Sequence, residues 1–181
     1  MNVFYLPDAR EGNVSFPEEE SKHIVRVLRM REGDTFCVTN GKGSLFDAEL
    51  IDAHPKRAMA NLLNRREGYD NRAFKLSIAI APTKLNERTE WFLEKATEIG
   101  IDEIKLFASY HSERRVVNVD RFKKIVVAAM KQSVKSNMPI IEEMQTFENL
   151  VRQDFHGQKF IAWIDEEVKD QLCNLYDKGS D

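Results

Sequence analysis

The chain has 181 residues, of which 42% are hydrophobic and 31% are charged, and its formal net charge is −3. This length suffices to bury one or two small cores, but the negative net charge argues against a protein that coats nucleic acid indiscriminately. No apolar stretch approaches the ~18 residues that a membrane span requires, and we expect a cytoplasmic protein with no membrane partner.

The charges are distributed unevenly along the chain. Residues 1–72 hold 11 Lys/Arg and 12 Asp/Glu, residues 73–140 hold 12 and 8, and residues 141–181 hold 4 and 10. The middle segment is the only basic one. Any contact with phosphate is therefore expected mainly there, and the acidic tail is a poor candidate for it.

Short strand-like segments dominate the first 70 residues. They lie at 3–6, 35–39, 45–52 and 59–63. Asn40-Gly41 predicts a hairpin turn between two of them, and residues 17–29 have a helical pattern. Many short strands with one small helix predict a compact β-barrel over residues 1–70, and the polar run 65–72 predicts a linker behind it.

The predicted helix 17–29 carries His23, Arg26 and Arg29. Two interpretations are open. The arginines suit a phosphate backbone, because guanidinium forks bind phosphate well. Alternatively, the three residues form a solvated face on which His23 is a structural histidine.

A strand–helix–strand unit follows the linker. Residues 74–81 and 104–107 have the short, β-branched pattern of buried strands. Between them a helix over 86–99 is predicted to be capped by Asn86, to bury Phe92, Ala96 and Ile99, and to stop at Gly100. This order predicts a parallel strand pair whose functional edge lies at the carboxyl ends of the strands.

Cationic residues lie beside the apolar stripe of this helix. Arg88, Trp91 and Lys95 recur at i, i+3 and i+7. Either the cations extend past the core while Trp91 packs into it, or the three residues face an anionic ligand such as RNA. Residues 112–115, with Arg114 and Arg115, follow the second strand, where either a ligand loop or a solvated charge cluster is expected.

Alternating elements continue to the end of the chain. We predict helices at 120–136, 147–155 and 166–176 and strands at 140–144 and 159–164. The pattern predicts an α/β domain with a mainly parallel sheet over residues 73–181. Gln132 and Ser133 interrupt the apolar face of the helix 120–136; they either allow close packing or form a hydrogen-bonding floor near a ligand.

Cysteines and histidines indicate no metal centre. Cys37 and Cys173 are far apart in sequence and are expected to be buried in a reducing compartment. The four histidines lack the spacing of metal ligands.

Three ordered motifs carry a family resemblance. They are Lys22-His23-Ile24-Val25-Arg26-Val27-Leu28-Arg29-Met30; the set Lys84, Glu90, Lys95, Glu98-Ile99-Gly100 and Ser112-Glu113-Arg114; and Ala128-Ala129-Met130-Lys131-Gln132-Ser133 followed by Pro139. Together they resemble the uridine-N3 methyltransferases of small-subunit (16S) ribosomal RNA, which belong to the knotted SPOUT superfamily. Lys135 stands where an arginine is more usual.

The resemblance implies a fold and an activity. Residues 1–70 should be a PUA-like RNA-binding barrel, and residues 73–181 a SPOUT methyltransferase domain. The implied reaction is methylation of N3 of a uridine in 16S ribosomal RNA within the assembled small subunit, with S-adenosylmethionine as the cofactor. The resemblance also implies a homodimer. A further strand and a Gly-Pro-Glu-Gly-Gly-like loop should follow residue 181, so we expect the domain to be incomplete.

Site residues follow from the cationic patterns and the resemblance together. The expected RNA contacts are His23, Arg26, Arg29, Lys84, Arg88, Lys95, Arg114 and Arg115. The expected cofactor contacts are Gln132, Ala162, Trp163 and Ile164. The catalytic residue stays unknown, with Glu98 and Glu113 as candidates for a general base.

Two other classes of function compete with this one. A non-catalytic RNA-binding or assembly protein would use the same barrel and basic middle segment without chemistry, above all for residues 1–181 alone. A nucleotide-binding α/β enzyme would need a phosphate-binding loop, and the sequence contains neither Gly-x-Gly-x-x-Gly nor a Walker motif.

Overall fold

The computed structural model describes residues 2–162 and 170–177. The chain forms two compact units, residues 1–147 and residues 148–181. Within the described residues, no helix is both long enough and apolar enough to cross a bilayer.

The N-terminal part of the first unit is built on a five-stranded sheet. Its strands are β1 (Val3–Tyr5), β2 (Gly12–Ser15), β3 (Thr35–Thr39), β4 (Ser44–Asp52) and β5 (Met59–Glu67). Their order is β1-β3-β4-β5-β2, with β1 parallel to β3 and the other pairs antiparallel. Helix α1 (Glu18–Lys22) follows β2 and continues directly into a π-helical turn, His23–Val27.

Aromatic side chains form the core beneath this sheet. The ring of Phe4 packs edge-on against Phe36 with centroids 5.0 Å apart and against Phe16 at 6.0 Å. Ile24, at the start of the π-helical turn, is fully buried in the same cluster. The turn is therefore held to the core by Ile24, whereas Arg26 of the same turn is exposed.

Three predictions for this part need correction. Strand β2 was not predicted, because its four residues include the strand-breaking Gly12 and Asn13. Strand β5 continues to Glu67, so the first three residues of the predicted linker 65–72 are strand. The predicted helix 17–29 ends at Val27, since Arg29 has a left-handed backbone with φ of 55°.

The predicted hairpin turn is confirmed at Asn40 and Gly41. Asn40 Oδ1 accepts hydrogen bonds from the amides of Lys42, at 2.8 Å, and Ser44, at 3.1 Å. Gly41 has φ of 68°, and a Cβ there would lie 2.9 Å from the ring of Tyr5. Both the backbone conformation and the close contact therefore require glycine.

The rest of the first unit is a parallel α/β layer. Its elements are β6 (Ser77–Ile80), α2 (Asn86–Ile99), β7 (Glu103–Ala108), α3 (Val119–Gln132), β8 (Ile140–Ile141) and β9 (Gln145–Thr146). The sheet order is β6-β7-β8, β9 also pairs with β7, and all pairs are parallel. Helices α2 and α3 contact each other and share one core with the sheet. This is the arrangement expected when two right-handed crossovers step in the same direction.

Helix α2 differs from its prediction at one of the three residues expected to be buried, since Phe92 and Ala96 do pack in the core. Leu93 and Ala96 are buried, whereas Ile99 is 73% exposed. Asn86 is the first helical residue rather than the cap, and the cap position, Leu85, makes no side-chain hydrogen bond. The predicted stop is confirmed, because Gly100 adopts the left-handed conformation with φ of 98°.

Helix α3 is shorter than the predicted 120–136. The side chain of Asn118 caps it by accepting a 2.9 Å hydrogen bond from the amide of Arg121. The helix ends at Gln132, where the Ser133 hydroxyl donates to the carbonyl of Ala129 at 2.7 Å and Val134 turns left-handed. Phe122 is buried in the core between α3 and the sheet.

The second unit contains little regular structure among its described residues. Helix α4 (Phe147–Arg152) leads into it, and α5 (Leu172–Leu175) lies near its end. The predicted strand 159–164 is wrong over 159–162, which form no strand, and its last two residues lie outside the described residues. Cys173 is exposed rather than buried. Cys37 is buried as predicted, and that burial raises the pKa of its thiol.

Two sets of contacts join the N-terminal part to the α/β layer. Lys131 on α3 forms a 2.7 Å ion pair with Glu20 and lies 5.5 Å from the centroid of the Phe4 ring. In the other set, Asp70 accepts hydrogen bonds from the amide and hydroxyl of Ser136. Ser136 is itself fully buried, so these contacts fix the N-terminal part against the end of α3.

Candidate nucleic-acid interface

The loops that follow β6 and β7 meet at the carboxyl edge of the parallel sheet. The Arg114 guanidinium donates to the carbonyls of Lys84, at 2.7 Å, and Thr83, at 3.3 Å. Lys84 also forms a 3.1 Å ion pair with Glu113. The structure thus brings together Lys84 and Arg114, two of the predicted RNA contacts. Part of the Arg114 guanidinium is already hydrogen-bonded to the loop that follows β6.

The start of α2 presents a cation beside an aromatic ring at the same edge. Arg88, Trp91, Phe92 and Glu87 line a shallow depression of about 420 Å³. Trp91 is 64% exposed, so it does not pack into the core. This exposure favours the interpretation in which Arg88 and Trp91 face a ligand.

Lys95 is engaged by carboxylates on its own helix. Its ammonium lies 2.8 Å from Glu94 and 3.0 Å from Glu98. The hydrogen bonds to these two carboxylates raise the pKa of Lys95, and the bond from Lys95 lowers the pKa of Glu94. Because α2 runs from the carboxyl edge back to the opposite edge, Lys95 is also remote from Arg114. It is the weakest of the predicted phosphate contacts.

Tyr110 and His111 occupy the loop after β7, and we did not predict a role for either. Tyr110 is 88% exposed, and its ring lies edge-on to His111 with centroids 4.9 Å apart. Arg115, a predicted RNA contact, donates to the Tyr110 carbonyl at 3.4 Å. The sequence signal was an aromatic residue directly before a basic loop at a strand end.

A second cationic patch lies on the π-helical turn of the N-terminal part. Arg26 and Arg29 are exposed there. The half-buried His23 packs its ring against Phe4, with centroids 6.0 Å apart. His23 is therefore a packing residue at least in part, whereas both guanidinium groups face solvent. A π-helical insertion in an α-helix is rare and is frequent at functional sites.

The two patches lie at opposite ends of the α/β layer. Helix α3 starts near the carboxyl edge, and its last turn contacts Glu20, just before the π-helical turn. Its 14 residues span about 20 Å. A ligand that touches both patches must therefore be extended, as a nucleic acid is.

The two candidates for the general base, Glu98 and Glu113, also lie at opposite edges of the α/β layer. Glu113 lies at the carboxyl edge in its ion pair with Lys84, whereas Glu98 lies near the end of α2 and pairs with Lys95. Only Glu113 shares an edge with Arg88 and Arg114.

The predicted cofactor residues do not form a pocket among the described residues. Gln132 is exposed at the end of α3 that points away from the carboxyl edge. Ala162 is exposed in the second unit, and Trp163 and Ile164 lie outside the described residues. The described part of this set does not form the enclosure that an adenosine group requires. Across the part of the chain that the structure describes, no group of three His, Cys, Asp or Glu side chains is placed to hold a metal ion.

Comparisons with protein families match most of the chain. Residues 70–179 match the model of an RNA methyltransferase domain, and residues 16–63 match that of an RNA methyltransferase PUA domain. The two matched segments adjoin near the end of β5. We retain the division between residues 70 and 73 as a prediction.

Individual proteins that resemble this chain are also named as ribosomal RNA methyltransferases. The chain is 28% identical to the ribosomal RNA small subunit methyltransferase E of Bacillus subtilis, over 86% of this chain and 62% of that protein. A probable rRNA methyltransferase from Porphyromonas gingivalis is 38% identical with a TM-score of 0.83, over 92% of this chain and 70% of that one. The Neisseria gonorrhoeae methyltransferase E, solved with S-adenosyl methionine, is 26% identical with a TM-score of 0.77, over 88% and 68%. The chain thus spans about three fifths of the length of the curated Bacillus relative.

Proposed function

The chain belongs to the RNA methyltransferase family of the SPOUT superfamily, and on that premise we propose that it serves methylation of small-subunit ribosomal RNA. The proposed reaction moves a methyl group from the sulfonium of S-adenosylmethionine to N3 of a uridine in 16S ribosomal RNA, while N3 loses its proton. The proposed substrate is the assembled small ribosomal subunit, and the process is ribosome biogenesis in the cytoplasm.

One observation carries the proposal. Arg26 with Arg29, and Arg88 beside Trp91, form two exposed patches whose arginines make no ion pair among the described residues, on a chain of net charge −3. Guanidinium groups position a phosphate backbone, and an exposed indole offers a surface for base stacking. This pattern fits an extended RNA better than a small ligand.

The chemistry of the target base explains why an assembled particle is the proposed substrate. A base in a helix must leave its stack before N3 is accessible, which costs a few kcal/mol. A ribosomal fold that already distorts the RNA lowers that cost. The described residues contribute by binding and orienting the RNA, which reduces the barrier by positioning. Glu113 is the proposed proton acceptor, because it lies among the cations of the carboxyl edge.

The cofactor and the assembly state complete the proposal. S-adenosylmethionine supplies an electrophilic methyl group, and Gln132, Ala162, Trp163 and Ile164 remain its proposed contacts although the described ones form no pocket. We propose that the full-length protein is a homodimer, because the resemblance to SPOUT methyltransferases implies one. Sedimentation velocity should then give a dimer at micromolar concentration, and a monomer would contradict this part.

Methyl transfer by the full-length gene product tests the proposed function. With labelled S-adenosylmethionine, we expect label in the RNA of isolated small subunits and much less in protein-free 16S RNA. Binding of the RNA without transfer of label would instead support a non-catalytic RNA-binding or assembly protein. Absence of both binding and transfer would exclude the two functions together.

Tyr110 provides a prediction about base contact. Replacing Tyr110 with Ala should weaken binding of small-subunit RNA by about tenfold, since base–aromatic stacking contributes about 1–3 kcal/mol. Tyr110→Phe should retain most of the affinity, because it keeps the ring. Fluorescence anisotropy with labelled RNA measures the effect. Equal loss in both variants would show that the hydroxyl rather than the ring makes the contact.

A further inference from the structure

A polar cleft of about 390 Å³ opens at the amino edge of the parallel sheet, opposite the carboxyl-edge loops. Three segments form its walls: the segment that leads into β6, the link between α2 and β7, and the link after α3. The residues used below are Asp70, Arg72, Phe74, Lys75, Asp102 and Lys135, all of which line it. None of them belongs to the predicted RNA or cofactor contacts.

The two carboxylates of the cleft are occupied by donors of the protein itself. Asp102 Oδ2 accepts from the Arg72 guanidinium and from the amide of Leu76, both at 2.7 Å. Asp70 accepts from the amide of Ser136 at 3.1 Å and from the side chain of Asn137 at 3.0 Å. Both acidic groups are thus satisfied by donors in the walls of the cleft.

The two lysines of the cleft lack such partners. Among the described residues, no carboxylate or carbonyl lies within hydrogen-bonding distance of the ammonium of Lys75 or Lys135. Lys135 is half-buried and extends along Gly100, where an added Cβ would lie 3.5 Å from its ammonium. A half-buried ammonium with no partner favours an anion beside it, because its own hydration is incomplete.

An aromatic ring lies beside these lysines. Phe74 is 50% exposed, and the Arg72 guanidinium lies 5.2 Å from the centroid of its ring. The lining holds three cations and two carboxylates, an excess of one positive charge. An anion next to a flat apolar group is the chemistry of a nucleotide unit, with its phosphate on the lysines and its base on the ring.

We propose that this cleft binds a phosphate of single-stranded RNA through Lys75 and Lys135, with the neighbouring base stacked on Phe74. The proposal rests on the proposed function, since RNA is the ligand in both. RNA is favoured over a free nucleotide because the cleft lies where the N-terminal part meets the α/β layer, at the end of α3 nearest the Arg26 and Arg29 patch. An RNA held by that patch can continue into the cleft.

The test compares two double variants of the full chain. Lys75→Ala/Lys135→Ala removes both cleft lysines, and Lys123→Ala/Lys124→Ala removes two exposed lysines of α3 as a matched control. The probe is a fluorescein-labelled single-stranded fragment of small-subunit RNA, titrated at several KCl concentrations. We expect about a tenfold loss of affinity in the cleft variant. Its salt slope should fall by about 0.7, since the two lysines bind one phosphate and each phosphate contact on a single strand contributes about 0.7. The control should change by less than about twofold.

Two further variants separate charge from folding and stacking. Lys135→Arg should keep the affinity because it keeps the charge, and Phe74→Ala should weaken binding without changing the salt slope. If the cleft variant and the control variant bind RNA with the same affinity and salt slope, the cleft is not an RNA site, and the proposed RNA binding elsewhere is unaffected. No RNA binding by the wild type would overturn the proposed function and the cleft with it. Direct binding of inorganic phosphate or uridine monophosphate by the wild type but not by the cleft variant, with RNA affinity the same in both, would identify a free phosphate ligand and overturn the RNA assignment.

Discussion

Replacing Arg26, Arg29, Arg88 and Arg114 together with Ala is expected to weaken binding of small-subunit RNA by at least about a hundredfold. Each guanidinium that contacts a phosphate contributes a charge-assisted hydrogen bond worth about 1.5–3 kcal/mol. Each also releases about 0.7–0.9 counterion, so the salt slope should fall by about three. Fluorescence anisotropy across a KCl series measures both effects.

A control quadruple variant separates local contact from net charge. Lys56, Arg57, Lys123 and Lys124 are also exposed, so replacing them with Ala changes the net charge equally. We expect their loss to change the affinity by only a few-fold. Arg114 also holds two backbone carbonyls, so a triple variant that retains it checks that the loss is not caused by a loosened loop. If both quadruple variants lose the same affinity for RNA, the four arginines are solvent-exposed charges and not specific phosphate contacts.

Replacing Phe4 with Ala is expected to lower the free energy of unfolding by about 3–5 kcal/mol. Phe4 is 1% exposed and touches Phe36, His23 and the ammonium of Lys131. Its loss therefore opens a cavity in the core and removes a surface on which the π-helical turn packs. A loss of this size is a large part of the 5–15 kcal/mol that stabilises a typical domain. Urea denaturation followed by circular dichroism measures it.

The exposed Phe160 is the matched control for Phe4. It is 43% exposed, so Phe160→Ala should change the free energy of unfolding by no more than about 0.5 kcal/mol. The folded fraction of the Phe4 variant should also bind RNA more weakly than the wild type, since His23 loses a packing partner beside Arg26. Similar destabilisation by the two substitutions would contradict the assignment of Phe4 to the core.

The sequence predicted those elements whose signals are local. The hairpin at Asn40 and Gly41, the stop at Gly100 and the alternation of strand and helix from β6 to α4 depend on neighbouring residues, and the structure contains all of them. Of the three residues predicted to be buried on α2, Ala96 is buried and Phe92 packs against the core, but Ile99 is exposed. Ile99 and the buried Leu93 fit adjacent apolar stripes of the same helix. Only the position of the helix on the sheet decides which stripe is buried.

The candidate site was less predictable, because it depends on distances across the fold. Spacing along α2 suggested that Arg88 and Lys95 act together, whereas Lys95 is held by Glu94 and Glu98. The chain order also gave no indication that the Arg26 patch and the Arg114 loop lie at opposite ends of α3. The cleft around Lys135 joins three segments that are distant in sequence, and no local pattern predicts such a junction.

Nucleoside mass spectrometry of small-subunit RNA tests the proposed reaction most directly. The comparison is between the organism that encodes this chain and a strain from which the gene has been deleted. We predict that 3-methyluridine disappears from the small-subunit RNA of the deletion strain and returns when the full gene is restored. An unchanged content of 3-methyluridine in the deletion strain would contradict the proposed methylation of uridine N3.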